Sequence, residues 1–192
     1  MNFNEGIKQS EKGFQQILEG DKLLSKAVVN DFLYTWQWWL GIALFILPWV
    51  IWIIFRKKES TGRLLIGGFI TIILSLIIDL ITNSLGIWAY PMKFLPVGTI
   101  LLLPYHFSLT PVAIMLTLQI KPNANPFIKG AILSAITAFG FMKIFVMLKF
   151  YDPKGWPSFY DFLIFLCLYL AAYWCSNELS FNNISNKKST DR

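Results

Sequence analysis

Three places in this sequence combine residue types and spacing that could do chemistry. Asp79 stands in a long apolar run, and Gly68, Ser75, Asp79, Thr82 and Asn83 recur at helical spacing, so they share one face. A carboxyl group in such a run can relay a proton, hold a cation or bind a polar ligand, and its cost marks the position as a candidate site. His106 is the only histidine, and Thr110 follows it one turn later on the same face. Imidazole titrates near neutrality, which suits it to proton transfer, although a lone histidine also serves as a packing residue. Lys143 lies in another apolar run beside Phe139 and Gly140. Placed at a depth similar to that of Asp79, it is positioned to form an ion pair; its plainer use is to snorkel to the headgroups on its long stem. No second or third ligand is spaced to complete a metal site around His106, so neither a metal nor a cofactor is expected.

The elements that must position these groups follow from composition. Of 192 residues, 55% are hydrophobic, 17% aromatic and only 15% charged, against about 25% charged in an ordinary soluble domain. This excludes a large multidomain enzyme, a soluble disulfide scaffold and a disordered chain. The apolar runs are unbroken rather than alternating, which excludes a membrane barrel. The expected fold is all-α, a polytopic membrane helix bundle with five transmembrane helices. The spans are read at about 38–55, 64–82, 98–120, 127–148 and 158–176, each near the length that a bilayer core of roughly 30 Å requires. Residues 1–35 precede this 36–176 domain as an N-terminal amphipathic helix, with Phe14, Ile17, Leu18, Leu24, Val28 and Phe32 on one face. The segment either lies on the membrane surface or packs loosely as a helical lead-in. Residues 177–192 form a polar tail.

Charge sets the orientation. Arg56, Lys57, Lys58, Arg63, Lys121, Lys129, Lys187, Lys188 and Arg192 fall on one side of this topology, and Lys93, Lys149 and Lys154 fall in the loops of the other. Short basic loops stay cytoplasmic, so the C-terminus is expected inside and the N-terminus outside a plasma membrane. The net charge of +6 therefore reflects topology, and nucleic acid is rejected as a partner because no continuous basic face exists. The mixed, polar start has no apolar core of the kind a cleavable signal needs. Cys167 and Cys175 sit about 12 Å apart on one helix, too far for a disulfide, and read as small packing residues. The sequon Asn183-Ile184-Ser185 falls in the cytoplasmic tail and carries no weight.

Other features read first as structural. Ser158-Phe159-Tyr160-Asp161 resembles a capping box at the start of the last span. Gly130, Ser134 and Ala138 give a small residue every fourth position, a close-packing face either within the bundle or in a homo-oligomer. Pro48 should kink the first span near Leu44. Pro104 and Pro111 would free the carbonyls of Ile100 and Phe107, and broken helices of this kind also build binding sites.

Trp38-Trp39, Pro48-Trp49, the basic connection, Asp79, Gly86-Ile87-Trp88-Ala89-Tyr90-Pro91, Leu103-Pro104, Pro111-Val112 and Met115-Leu116 together resemble an uncharacterised family of small multi-pass proteins from Gram-positive, often spore-forming bacteria. The likeness covers roughly residues 36–176 and implies fold and membrane location only. The membrane aspartate followed by Gly-x-Trp-x-Tyr also resembles, more faintly, the carotenoid (lycopene) cyclase half-domain. That resemblance implies acidic residues after the next proline to serve acid-catalysed cyclisation. Here Pro104-Tyr105-His106-Phe107 has none, and Asp161 is the only nearby candidate for a second carboxylate.

The expected function is a non-enzymatic binding or scaffold module in the bilayer. Ser75, Asp79, His106, Thr110 and Lys143 would line an outward-facing polar pocket, covered by Trp88 and Tyr90 from the outer loop. The alternatives are a lipid-phase enzyme acting on an isoprenoid-like substrate, and a purely structural membrane subunit.

Overall fold

The computed structural model describes residues 2–97 and 101–178, and every regular element among them is a helix. Helix α1 is Phe3–Ala27, continued by a π-helical turn over Val28–Phe32. Then come α2 (Trp36–Phe55), α3 (Thr61–Ser84), α4 (Thr110–Gln119), α5 (Pro126–Ala135), α6 (Met142–Met147) and α7 (Ser158–Asn177). A π-helical segment, Ile136–Phe141, fuses α5 and α6 into one rod, and another, Tyr105–Leu109, leads directly into α4. Among the described residues, four helices are long and apolar enough to cross a membrane: Trp36–Phe55, Lys58–Ser84, Pro126–Met147 and Ser158–Asn177.

The expected third span, 98–120, is the one that differs. Regular helix occupies only 103–119, and residues 98–100 lie outside the described residues. Its two prolines explain the shortfall, because Pro104 opens the helix and Pro111 cannot donate to Phe107. The freed Phe107 carbonyl instead accepts the indole N–H of Trp49 at 2.9 Å, an exchange of the kind that lets broken backbone survive in a bilayer. At the far end, the Gln119 side chain accepts from the Lys57 amide at 3.0 Å and donates to the Phe55 carbonyl at 3.1 Å. The short helix is thereby tied to the turn between α2 and α3. Pro48 lies inside α2, which stays one helix. The expected tail is described only to Glu178, so Lys187, Lys188, Arg192 and the sequon lie outside the described residues.

Helix α3 is the centre of the bundle and packs against α4 and α7, while α5 packs against α7. Its faces invert the soluble pattern. Thr71, Ser75, Asp79 and Thr82 are buried, whereas Phe69, Ile73, Ile77 and Leu80 are exposed. Apolar side chains face outward because lipid is as good a solvent for them as the interior, and helix association then rests on packing and polar contacts. Glycines allow that packing: a Cβ at Gly68 would come within 2.8 Å of the Met115 sulfur. In α1, by contrast, no residue is buried. Its continuation docks through fully buried Val28 and through Phe32 against the aromatic cluster at the end of the bundle.

The chain leaves α3 through a left-handed glycine. Gly86 has φ +67°, its amide donates to Asn83, and the Ile87 amide donates to Thr82 at 2.9 Å. This is a Schellman closure, which favours glycine at that position. A Cβ at Gly86 would meet nothing within 4 Å, so substitution acts through the backbone alone. Gly86→Val should lower stability by about 1–2 kcal/mol, and Gly86→Asn by less, since asparagine tolerates this conformation. Thermal unfolding of both variants in detergent measures the difference.

Candidate functional site

Beyond Gly86 the chain is extended, and side chains two apart point the same way. Trp88 and Tyr90 therefore both turn toward the bundle, while Ala89 between them pairs its backbone with Asp152 in an antiparallel bridge. The bridge joins the segment after α3 to the segment before α7, with amide-to-carbonyl distances of 2.9 and 2.8 Å. Trp88 packs edge-on against Tyr151 and Trp156, Tyr90 leans on Tyr151, and Phe94 meets Phe150 edge-on. These rings form an aromatic lid over the end of the bundle.

Under the lid lies Asp79, fully buried. Its Oδ1 accepts the Trp88 indole N–H at 2.8 Å and the Tyr90 hydroxyl at 2.5 Å. Its Oδ2 is 3.1 Å from His106 Nε2. That approach lies off the line of a ring N–H, so it is an electrostatic contact more than an aligned hydrogen bond. On the other side of the ring, Nδ1 is 3.2 Å from Ser75 Oγ, whose hydroxyl donates to the Ile72 carbonyl at 3.0 Å. With that proton engaged, Nδ1 is the donor to Ser75. The arrangement is a buried Ser75–His106–Asp79 relay.

This relay is not an acyl-transfer triad. Ser75 stands in the middle of α3, where the backbone amides belong to the helix, and among the described residues nothing beside it forms an oxyanion hole. It stands next to a cavity of about 30 Å³, lined by Ser75, Asp79, Trp88, Tyr90, His106 and Tyr151 among others. That volume suits one or two water-sized polar groups.

The same cavity is lined by Asp161, which the sequence placed in a capping box. Pro157 precedes α7 and no side chain caps it. The Asp161 carboxylate is buried and accepts the Trp156 indole N–H at 3.1 Å. The two carboxylates are thus held alike, each by an indole from the lid. The positional signal was present: Asp161 follows Trp156 closely enough for one helical turn to fold it back under the ring. Tyr151 was also missed. Its hydroxyl is buried beside Asp161 and engages that carboxylate outside regular hydrogen-bond geometry. Burial and the nearby Asp161 charge push the Tyr151 phenol well up, and burial does the same to Tyr90. Both remain protonated donors across the ordinary pH range.

Of the residues proposed from sequence, Ser75, Asp79, Trp88, Tyr90 and His106 meet at this cavity. Thr110 does not. The π-helical segment has more residues per turn than an α-helix, and it carries Thr110 round to a neighbouring apolar cavity of about 120 Å³. Lys143 does not either: it is exposed, Asp161 is the carboxylate nearest in its influence, and the partners of Asp79 are Trp88, Tyr90 and His106. The expected Asp79–Lys143 pair is replaced by the Asp79–His106 contact. Gly130, Ser134 and Ala138 are buried within the chain, with Gly130 against Tyr169 and Leu166 of α7.

Lys93 lies in the lid, buried, with its ammonium 5.8 Å from the centre of the Tyr90 ring. Burial lowers its pKa from 10.5 to about 8, with the Asp79 charge opposing that shift. Between about pH 8 and 10.5 the unfolded chain binds the extra proton and the folded one does not. Stability from this group therefore rises with pH through that window and is lost as pH falls through the folded value. The melting temperature of wild type minus that of Lys93→Met should accordingly increase between pH 8 and 10.

Comparison of the chain with models of known protein families, with curated proteins and with solved structures finds no match.

Proposed function

We propose that this chain is a membrane module of five crossings that binds a lipid-like ligand at the lidded Asp79–His106 site. The observation that carries the reading is the pairing of two cavities. The polar one sits under the aromatic lid, the apolar one lies between α4 and the α5–α6 rod, and they share Tyr105, Met142 and Phe165 as walls. A cavity with convergent polar groups beside a larger apolar one is the usual form of a small-molecule site.

The helix over 103–119 supplies the fifth crossing. It begins beside the Asp79 cavity and ends where Gln119 clamps the α2–α3 turn. Its short length is compatible with local thinning of the bilayer or with shielding by neighbouring helices. The turn end carries Arg56, Lys57, Lys58, Arg63 and Lys121, which orients that end, and the C-terminus, toward the cytoplasm of a plasma membrane. The aromatic lid and the N-terminus then face outward. Helix α1, with Phe3, Ile7, Phe14 and Ile17 exposed, lies along the outer membrane surface as an amphipathic segment.

Mass spectrometry of molecules that co-purify in mild detergent tests the reading. Wild type and Lys143→Met should carry the same enriched molecule, and Asp79→Asn should lose it while remaining folded. No enriched molecule in wild type, or equal retention by folded Asp79→Asn, would reject it and favour a structural role for the polar contacts. A second reading, a lipid-phase acid–base enzyme, is favoured by Asp161, since it brings a second carboxylate to the cavity. On that reading, Asp161→Asn should retain a bound molecule chemically different from the one wild type carries.

A further inference from the structure

The polar cavity selects the head of its ligand by the donors and acceptors around it. Asp79 has one oxygen filled by Trp88 and Tyr90 and the other facing His106; Asp161 has one oxygen filled by Trp156. Tyr151, 3% exposed, brings its hydroxyl into the same space beside Asp161, which it engages outside regular hydrogen-bond geometry. A buried hydroxyl held in poor geometry gains free energy when a further group completes it. Among the described residues, no ammonium or guanidinium lines the cavity. Lys93 stands at the Tyr90 ring and is not part of the lining, Lys143 is exposed, and the imidazole of His106 is engaged by Ser75 and Asp79.

An anionic head would therefore meet two carboxyl groups and no uncommitted cation. A hydroxyl can accept from Tyr151 and donate to a carboxylate at once, which neither an ammonium nor a sulfonate can do. The space of about 30 Å³ admits a group of that size and no phosphodiester. The apolar cavity of about 120 Å³ takes the tail. It lies between the two π-helical segments, lined by Leu109, Ala113, Ile136 and Phe141, and its rim residues Ile136 and Phe141 are exposed on the membrane-facing exterior. Met142 belongs to both cavities, and its flexible thioether is suited to move aside for a chain passing between them.

We propose that the ligand is a single-chain lipid with a terminal hydroxyl, entering from the bilayer between α4 and the α5–α6 rod and placing its hydroxyl between Tyr151 and the two aspartates. The proposal rests on the lipid-binding reading above and fixes its chemical class and route.

Photolabelling separates the two levels. Protein in phosphatidylcholine nanodiscs is irradiated with decanol bearing a diazirine in its chain, and the labelled peptides are located by mass spectrometry. Label should appear at Met142 or at its neighbours in the apolar cavity. Unlabelled decanol should compete at about tenfold lower concentration than decanesulfonate, and more effectively than decylamine. Tyr151→Phe should reduce the preference for decanol over decanesulfonate about fivefold, with labelling and melting temperature showing that the chain is still folded. Equal competition by decanesulfonate or better competition by decylamine, with the label still at Met142, would overturn the hydroxyl assignment and leave lipid binding standing. Label spread over the exterior helices without saturation would overturn both. If Tyr151→Phe unfolds, Asp161→Asn serves as the second variant, with the same expected loss of preference.

Discussion

Replacing Asp79 with alanine is expected to remove about 3–5 kcal/mol of stability, the combined cost of leaving more than one buried polar group unsatisfied at about 1–3 kcal/mol each. The size follows from what would be stranded. The Trp88 indole N–H, the Tyr90 hydroxyl and the Nε2 edge of His106 all converge on one carboxylate that is 1% exposed. A typical domain has only about 5–15 kcal/mol in hand, so this one side chain holds a large share. Asparagine at the same position should behave differently. Its carbonyl still accepts from Trp88 and Tyr90 and its amide can donate to Nε2, so the expected loss is about 1–2 kcal/mol, the difference between charged and neutral hydrogen bonds. Thermal unfolding of Asp79→Ala and Asp79→Asn in the same detergent measures both. A difference of at least about 2 kcal/mol means that the site needs an acceptor and tolerates neutrality. Equal losses would mean that the negative charge itself holds the lid.

The legibility of this site in the sequence depended on how local each signal was. The inward stripe of α3 was visible because a helix face repeats at fixed spacing, and Ser75 and Asp79 are on it. Gly86 through Tyr90 was visible as a motif, and its physics is also local: a left-handed glycine closes the helix, then two-residue alternation aims both rings at Asp79. Asp161 was misread because Ser158 and Asp161 have the spacing of a capping box, and only the tertiary placement of Trp156 beside Trp88 shows where the carboxylate goes. Thr110 was misplaced by assuming 3.6 residues per turn through His106, where the helix takes a wider turn. Lys143 failed for a general reason. Equal depth on two helices is necessary for an ion pair, but the rotation of each helix about its axis decides it, and that rotation is fixed by packing. Here the packing is set by small residues in α5, which leads to the last prediction.

Gly130 sits where α5 meets α7. A Cβ built on it would lie 2.6 Å from a Tyr169 ring carbon and 2.9 Å from a Leu166 methyl. Tyr169 is fully buried, so its ring cannot swing clear, and the rod must move away from α7 to admit even a methyl group. Gly130→Ala should therefore cost about 2 kcal/mol and Gly130→Val about 3, the upper part of the range for overpacking. Helix propensity argues the other way, since alanine in a helix interior is worth about 1 kcal/mol over glycine. Gly140, on the same rod, isolates that opposing term: a Cβ there meets nothing within 4 Å, and Gly140→Ala should be neutral or stabilising by up to about 1 kcal/mol. The pair also decides what the Gly130, Ser134 and Ala138 face is for. Because all three are buried against the chain's own helices, Gly130→Ala should lower the melting temperature and leave the mass measured by light scattering in detergent unchanged. A fall in that mass at an unchanged melting temperature would instead assign the face to a contact between copies of the chain.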